Sequence, residues 1–116
     1  MVDVITEPEF DAWYLSLASA DQATVTIVVD MLEMMGLALP FPWSSEFKTS
    51  KYALRELRPK AGASPLRIFY GFDARRRAVV ILGGSKASDK KFYSRMAKAC
   101  DAIWARHIAG RCVGEE

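Results

Sequence analysis

The sequence predicts an α+β fold: a small antiparallel sheet with two N-terminal helices on one face, followed by a C-terminal helix. Three observations carry this. Apolar residues recur at three- and four-residue spacing between Phe10 and Met35. Three apolar runs joined by short turns then occupy residues 52–82. A last helical stripe follows the glycine pair at 83–84. With 116 residues, 51% of them hydrophobic, one compact domain spanning 1–116 is expected.

Val2, Val4 and Ile5 suit a short first strand over Met1–Ile5. Thr6 then caps a short helix to about Leu17, with Pro8 in its first turn and Phe10, Trp13, Tyr14 and Leu17 on one side. Asp21 caps a longer helix running to Met35. Its β-branched stretch Thr24–Val29 also suits a strand, but the pattern continues unbroken through Met34 and Gly36 ends it. Leu37–Trp43, with Pro40 and Pro42, reads as an extended connector with apolar anchors, and Ser44–Lys51 as a polar loop.

Strands are expected over Tyr52–Arg58, Leu66–Asp73 and Ala78–Leu82, with turns at Pro59–Pro65 and Ala74–Arg77. Short connections make them an antiparallel meander. Gly83-Gly84 stops the last strand. Ser88 or Asp89 caps a final helix to about Ile108, striped by Phe92, Met96, Cys100, Ile103 and His107, with a loose tail from Gly110. Two helices then cover one sheet face and leave the other partly open for a ligand.

All lysines and arginines lie after residue 47. The first 47 residues carry eight carboxylates, the remainder 16 basic and six acidic side chains, so the halves hold about −8 and +10. Such asymmetry points either to a polyanion or acidic partner, or to two halves that pair with each other. No apolar run is long enough to span a bilayer, and residues 1–10 do not read as a secretory signal, so the cytoplasm is the expected location. Cys100, Cys112 and a single histidine do not form a metal-binding pattern, and no metal or cofactor is expected. His107, near the negative end of its helix, reads as structural.

Period-two alternation sorts the strand residues. Leu66, Ile68, Tyr70 and Phe72 share the core face. Arg67, Phe69, Gly71 and Asp73 share the other, where a guanidinium, a ring and an adjacent glycine suit phosphate binding and base stacking. The alternative is an ion pair of Arg67 with Asp73 or Glu56 on a solvated face. If the open faces match, Glu56, Arg58 and Arg67 converge, and two cations would hold the carboxyl low, making it an orienting group before a base. Lys86 stands at the rim beyond Gly83-Gly84, with Lys90 and Lys91 next to Tyr93. Arg76 belongs to a basic turn, and Lys48 and Lys51 lie upstream of the sheet. Each of these exposed cations serves solubility equally well.

The order and spacing of Glu56-Leu57-Arg58, Arg67-Ile68-Phe69-Tyr70 leading to Phe72-Asp73, and the apolar strand ending in Gly83-Gly84 and followed by Lys86 resemble phage-derived HigB-like toxins of the RelE/ParE superfamily. Trp13, Met35-Gly36 and Leu39-Pro40 extend the resemblance over nearly the whole chain. It implies a RelE-like fold, the toxin half of a toxin–antitoxin pair, and an endoribonuclease that cuts mRNA on the translating ribosome. It also implies a cognate helix-turn-helix antitoxin. Arg67, Arg58, Lys86, Glu56 and Tyr93 are the catalytic candidates; Phe69, Lys51, Arg55, Lys90, Lys91 and Arg76 are the RNA-binding ones. No family histidine or C-terminal tyrosine can be placed. A ParE-like gyrase inhibitor and a non-catalytic RNA- or protein-binding regulator are the alternatives.

Overall fold

The computed structural model describes the backbone of residues 1–114 and the side chains of residues 1–110. Its strands are β1 (Val4–Thr6), β2 (Ser44–Glu46), β3 (Arg55–Leu57), β4 (Leu66–Phe72) and β5 (Ala78–Ser85). Its helices are α1 (Pro8–Leu15), α2 (Ser19–Met35) and α3 (Phe92–Gly114). One sheet runs in the order β1-β5-β4-β3-β2. The β2–β3, β3–β4 and β4–β5 pairs are antiparallel. The sheet is mixed rather than wholly antiparallel, because β1 lies parallel to β5. Passage through α1 and α2 separates β1 from the meander and frees it to take that direction.

Alternation along β4 sets the layers. Leu66, Ile68 and Tyr70 join Leu57, Ala78 and Val80 beneath Phe10 of α1 and Val25, Val28 and Leu32 of α2. That face is as expected. The opposite face is not open. Phe92, Met96, Cys100, Ile103 and Trp104 of α3 pack on Phe69, Val79, Ile81, Leu54 and Phe47. The apolar stripe of α3 has no other surface to bury against, so the helix closes the second face. The sheet lies between two helical layers.

Several boundaries move for local reasons. Glu7, not Thr6, is the N-cap of α1, and Ala18 that of α2, so Asp21 stands in the first turn instead. Ser44–Glu46 forms an edge strand on β3 where a polar loop was expected, and β3 itself is short. Gly36 does end α2, in a backbone conformation with φ of 54°, and a 3-10 turn follows in place of fully extended chain. The final helix continues past Ile108 to Gly114, so His107 is not in its last turn. The expected loose tail is helical over 110–114; its last two residues and the Cys112 side chain lie outside the described residues. No helix among the described residues is long and apolar enough to cross a membrane.

Gly83-Gly84 does not stop β5; both glycines are in it. Their value is space. A Cβ on Gly83 would lie 2.3 Å from the Trp13 ring, and one on Gly84 2.9 Å from Phe92. The glycines let one ring from each helical layer descend onto the strand. A register shift at Phe69/Tyr70 precedes them, and Ile81 and Leu82 both join the α3 cluster. Gly71, expected to leave room for a ligand, is instead filled by Trp104, 3.0 Å from where its Cβ would stand.

Polar ties anchor α3 at three further places. Ser50 donates to Asp101. Arg106 donates two hydrogen bonds to Glu9, at 2.6 and 2.7 Å. His107 stacks on Trp104 and lies 3.1 Å from Asp73. Burial works to raise the Asp73 carboxyl, but the backbone N–H and guanidinium of Arg77, with His107, bring it down to about 2.

Two outcomes test this packing. Gly83→Ala should lose roughly 1–3 kcal/mol in urea unfolding, and Trp13→Leu combined with it should cost less than the sum of the two, since the shorter side chain vacates the space. Asp73 has a depressed carboxyl, so its contribution is present above the ordinary value of 3.8 and lost as pH falls through about 2. Asp73→Asn should therefore be roughly 2 kcal/mol less stable at neutral pH, with the gap closing below about pH 2 in acid titrations.

Candidate active site

The register of β3 against β4 pairs Glu56 with Phe69 and Leu57 with Ile68. Continued by one residue, it sets Arg58 opposite Arg67. Two guanidinium groups facing each other across adjacent strands repel. Glu56 lies on the same face and answers both: its Oε1 is 3.7 Å from Arg58 Nη1 and 3.7 Å from Arg67 Nε. Tyr93, in the first turn of α3, donates its phenolic O–H to that same Oε1 at 3.1 Å. Three side chains thus meet on one carboxylate oxygen.

The cluster is largely dry. Arg67 is 1% exposed and Glu56 4%. Arg67 Nη1 donates to the carbonyls of Ser64 and Leu66, both at 2.7 Å. Glu56 Oε2, Arg58 Nε and Arg67 Nε are buried without a hydrogen-bond partner. Such atoms are costly unless a ligand or water completes them. Burial pushes the Glu56 carboxyl above its ordinary value, against the opposing pull of Tyr93, Arg67, Arg58 and Lys86. The expectation that two cations would hold it low is thereby overturned: the cations stand at ion-pair distance only, while desolvation acts on the whole group. Burial and the Glu56 charge also raise the Tyr93 phenol, keeping it protonated.

Arg58 is the cation of the pair that reaches the surface, with a side chain 25% exposed. Its backbone N–H donates to the Trp43 carbonyl at 2.8 Å. Its guanidinium carbon lies 5.4 Å from the centre of the Phe41 ring. Behind it is Gly62, with φ of 96°; a Cβ there would come within 2.9 Å of Arg58 Nη2. Lys86 hydrogen-bonds through its backbone to Pro65, which places it at the same end of the sheet, and its side chain is exposed. Lys90 and Lys91 are exposed on the segment leading into α3.

Other candidates are placed elsewhere. Phe69, expected as a stacking ring, is fully buried, with Phe47 at 4.3 Å and Phe92 at 6.0 Å between ring centres. A base cannot reach it while α3 is docked. Arg55 points to the opposite face, donating to Ser44 Oγ beside Tyr70. Lys51, in the β2–β3 turn, and Arg76, in the β4–β5 turn, stand at the other end of the sheet from Arg67. Arg67 does not pair with Asp73, which is held by Arg77 and His107. Cys100 is buried on the sheet-facing side of α3 and its thiol is pushed up to about 12 by burial, which removes it from nucleophilic chemistry.

Residues 12–103 match the family described as "Phage derived protein Gp49-like (DUF891)". The chain is 37% identical over 100 residues to "Putative toxin HigB3" of Mycobacterium tuberculosis, a match covering 84% of this chain and 86% of that protein. It is 33% identical over 101 residues to "Putative toxin HigB2" of the same organism, covering 84% of this chain and 50% of that one. Among solved structures, a chain of the archaeal RelE–RelB complex from Pyrococcus horikoshii OT3 superposes with a TM-score of 0.54 at 15% identity, over 75% of this chain and 97% of that one. That last likeness concerns the fold. With the family match spanning most of its length and the HigB3 alignment most of both proteins, this chain belongs to the phage-derived Gp49-like family and is a HigB-like toxin, with a RelE-like fold.

Proposed function

We propose that this chain is the toxin of a type II toxin–antitoxin pair, a single domain over residues 1–116 that cuts mRNA on the translating ribosome in the cytoplasm. A cognate helix-turn-helix antitoxin would neutralise it. The observation that carries the catalytic reading is the Glu56 cluster, in which a desolvated carboxylate, two guanidinium groups and a protonated phenol leave buried polar atoms without partners. The relatives' names support the toxin assignment.

The chemistry is transfer within the RNA itself. The ribose 2′-hydroxyl attacks the adjacent phosphorus and the 5′-oxygen leaves, giving a 2′,3′-cyclic phosphate and a free 5′-hydroxyl. Glu56 Oε2, which has no partner, takes the 2′-hydroxyl proton. A carboxyl raised above its ordinary value is a stronger base than an unperturbed one. Tyr93 covers Glu56 in the absence of substrate. RNA entry exchanges that hydrogen bond and frees the phenol to protonate the leaving oxygen. Arg58 and Lys86, the accessible cations of the cluster, neutralise the phosphorane. Arg67 stays behind Glu56 and orients it, while Lys90 and Lys91 extend the basic rim.

Mapping RNA 5′ ends after brief induction tests this reading. The parent should create new cuts inside translated regions. Glu56→Gln should reduce them roughly 10²- to 10⁴-fold, Arg58→Ala roughly 10²- to 10³-fold, and Lys51→Ala and Arg76→Ala little. Growth arrest with intact message would sink the nuclease reading. In vitro, cleavage of ribosome-bound message should rise with pH through a value above 4.5, as Glu56 ionises. The stability effect has its own sign. A raised carboxyl favours the fold most below the unfolded value and loses that contribution as pH rises through the folded one. The parent should thus lose stability as pH rises through the folded Glu56 value, a pH dependence that Glu56→Gln should remove in urea titrations, whatever its absolute stability with Arg67 left without a counter-charge.

A further inference from the structure

We infer that Phe41 is the base-stacking platform of this site, holding the nucleobase next to the phosphate that Arg58 binds; the inference rests on the endoribonuclease reading above. That reading leaves a gap: a cluster that grips phosphate and moves protons but, with Phe69 buried, has no ring to hold a base. Phe41 fills it by position and exposure. The residue is 71% exposed, and it is the one aromatic among the exposed large hydrophobic residues of the described chain. Single exposed apolar residues are common, so what singles Phe41 out is its place beside Arg58.

The ring is not randomly placed. Its centre lies 5.4 Å from the Arg58 guanidinium, whose Nη1 is in turn 3.7 Å from the Glu56 carboxylate. One guanidinium therefore separates ring from carboxylate, which suits a nucleotide whose base stacks on Phe41 while its phosphate meets Arg58. The guanidinium fixes the ring by cation–π attraction and leaves most of its surface to solvent. Gly62 leaves room for the guanidinium beside the ring: a Cβ there would stand 2.9 Å from Arg58 Nη2.

The backbone carrying Phe41 is also restrained. Pro40 and Pro42 flank it, each with φ fixed by its ring. The Pro40 carbonyl accepts hydrogen bonds from the N–H groups of Trp43, at 3.0 Å, and Ser44, at 3.1 Å. Leu39 and Trp43, on either side, pack into the α1–α2 core. A ring presented from such a turn loses little conformational freedom on binding. Stacking accepts any base, with stronger hold on the larger purines.

The test compares parent, Phe41→Ala, Phe41→Leu and Phe41→Trp on ribosome-bound message, with antitoxin neutralisation and thermal unfolding measured on the same proteins. Stacking predicts a loss of roughly 5- to 150-fold in cleavage for Phe41→Ala and Phe41→Leu, near-parent cleavage for Phe41→Trp, and unfolding temperatures close to the parent's for all three. If Phe41→Leu cleaves like the parent, or all three do, Phe41 does not stack a base, while the nuclease reading stands. If cleavage is unchanged but the antitoxin no longer neutralises the variants, the ring is a protein contact and the inference is overturned. If the parent itself leaves message intact, the nuclease reading fails and takes this inference with it.

Discussion

The structure depends on one buried carboxylate. Without Glu56, the register of β3 and β4 would set Arg58 and Arg67 against each other in a region closed by a helix. With it, each guanidinium has a counter-charge, and Tyr93 ties α3 to the same oxygen. The arrangement is not optimised for stability. Three buried polar atoms have no partner, and burial raises the carboxyl rather than letting the cations lower it. A well-packed apolar replacement would serve the fold as well or better. A polar cluster kept at such cost is where chemistry is to be sought.

Closure of the second sheet face by α3 decides where that chemistry can occur. Phe69, Gly71 and most of Arg67 lie under the helix, so substrate cannot spread over the sheet. What remains open is the end where Arg58, Lys86 and the turn at residues 40–43 surround the Glu56 cluster. Helix α3 is fixed at three other points, through Asp101, Arg106 and His107. Its first turn, carrying Tyr93, is the part that meets the site. Fixed elsewhere, the helix can yield a single side chain to substrate without giving up its apolar packing.

Much of this was legible. The β4 core face, the convergence of Glu56, Arg58 and Arg67, and the helix–helix–meander–helix order all follow from periodicity. What periodicity cannot say is which face is covered. Arg67 reads as polar and therefore exposed, yet it is buried because its charge is answered locally by Glu56 and its donors by the Ser64 and Leu66 carbonyls. The clue was in the last helix: Phe92, Met96, Cys100 and Ile103 need a sheet to lie on, and only one face was free. The edge strand β2 escaped because Ser44-Ser45-Glu46 has no apolar alternation; its hydrogen bonds to β3 define it. Phe41 reads as an apolar anchor by composition, and only three-dimensional placement separates it from its neighbours, the buried Leu39 and the half-buried Trp43. Gly83-Gly84 misled for a related reason. Glycine pairs usually interrupt a strand, but here two rings press onto it from opposite sides.

The division of charge between the halves resolves into two different uses. Part of it is internal: Arg106 of the basic half holds Glu9 and Glu7 of the acidic half. Arg77 and Arg95 are answered within the basic half itself, by Asp73 and Asp89. Among the described residues, the exposed cations named as RNA-binding candidates do not make one surface. Lys86 acts on the Glu56 carboxyl and Lys90 and Lys91 lie on the segment leading into α3, while Lys51 and Arg76 stand at the far end of the sheet. Charges at the far end act on a polyanion only through the long-range field, which salt screens within about 10 Å at 0.1 M. Those beside the cluster act at contact, where a dry site weakens screening. Net charge alone would predict a general affinity for RNA. Arg58 and Lys86 beside a single desolvated carboxylate suit the proposed cut at one phosphate.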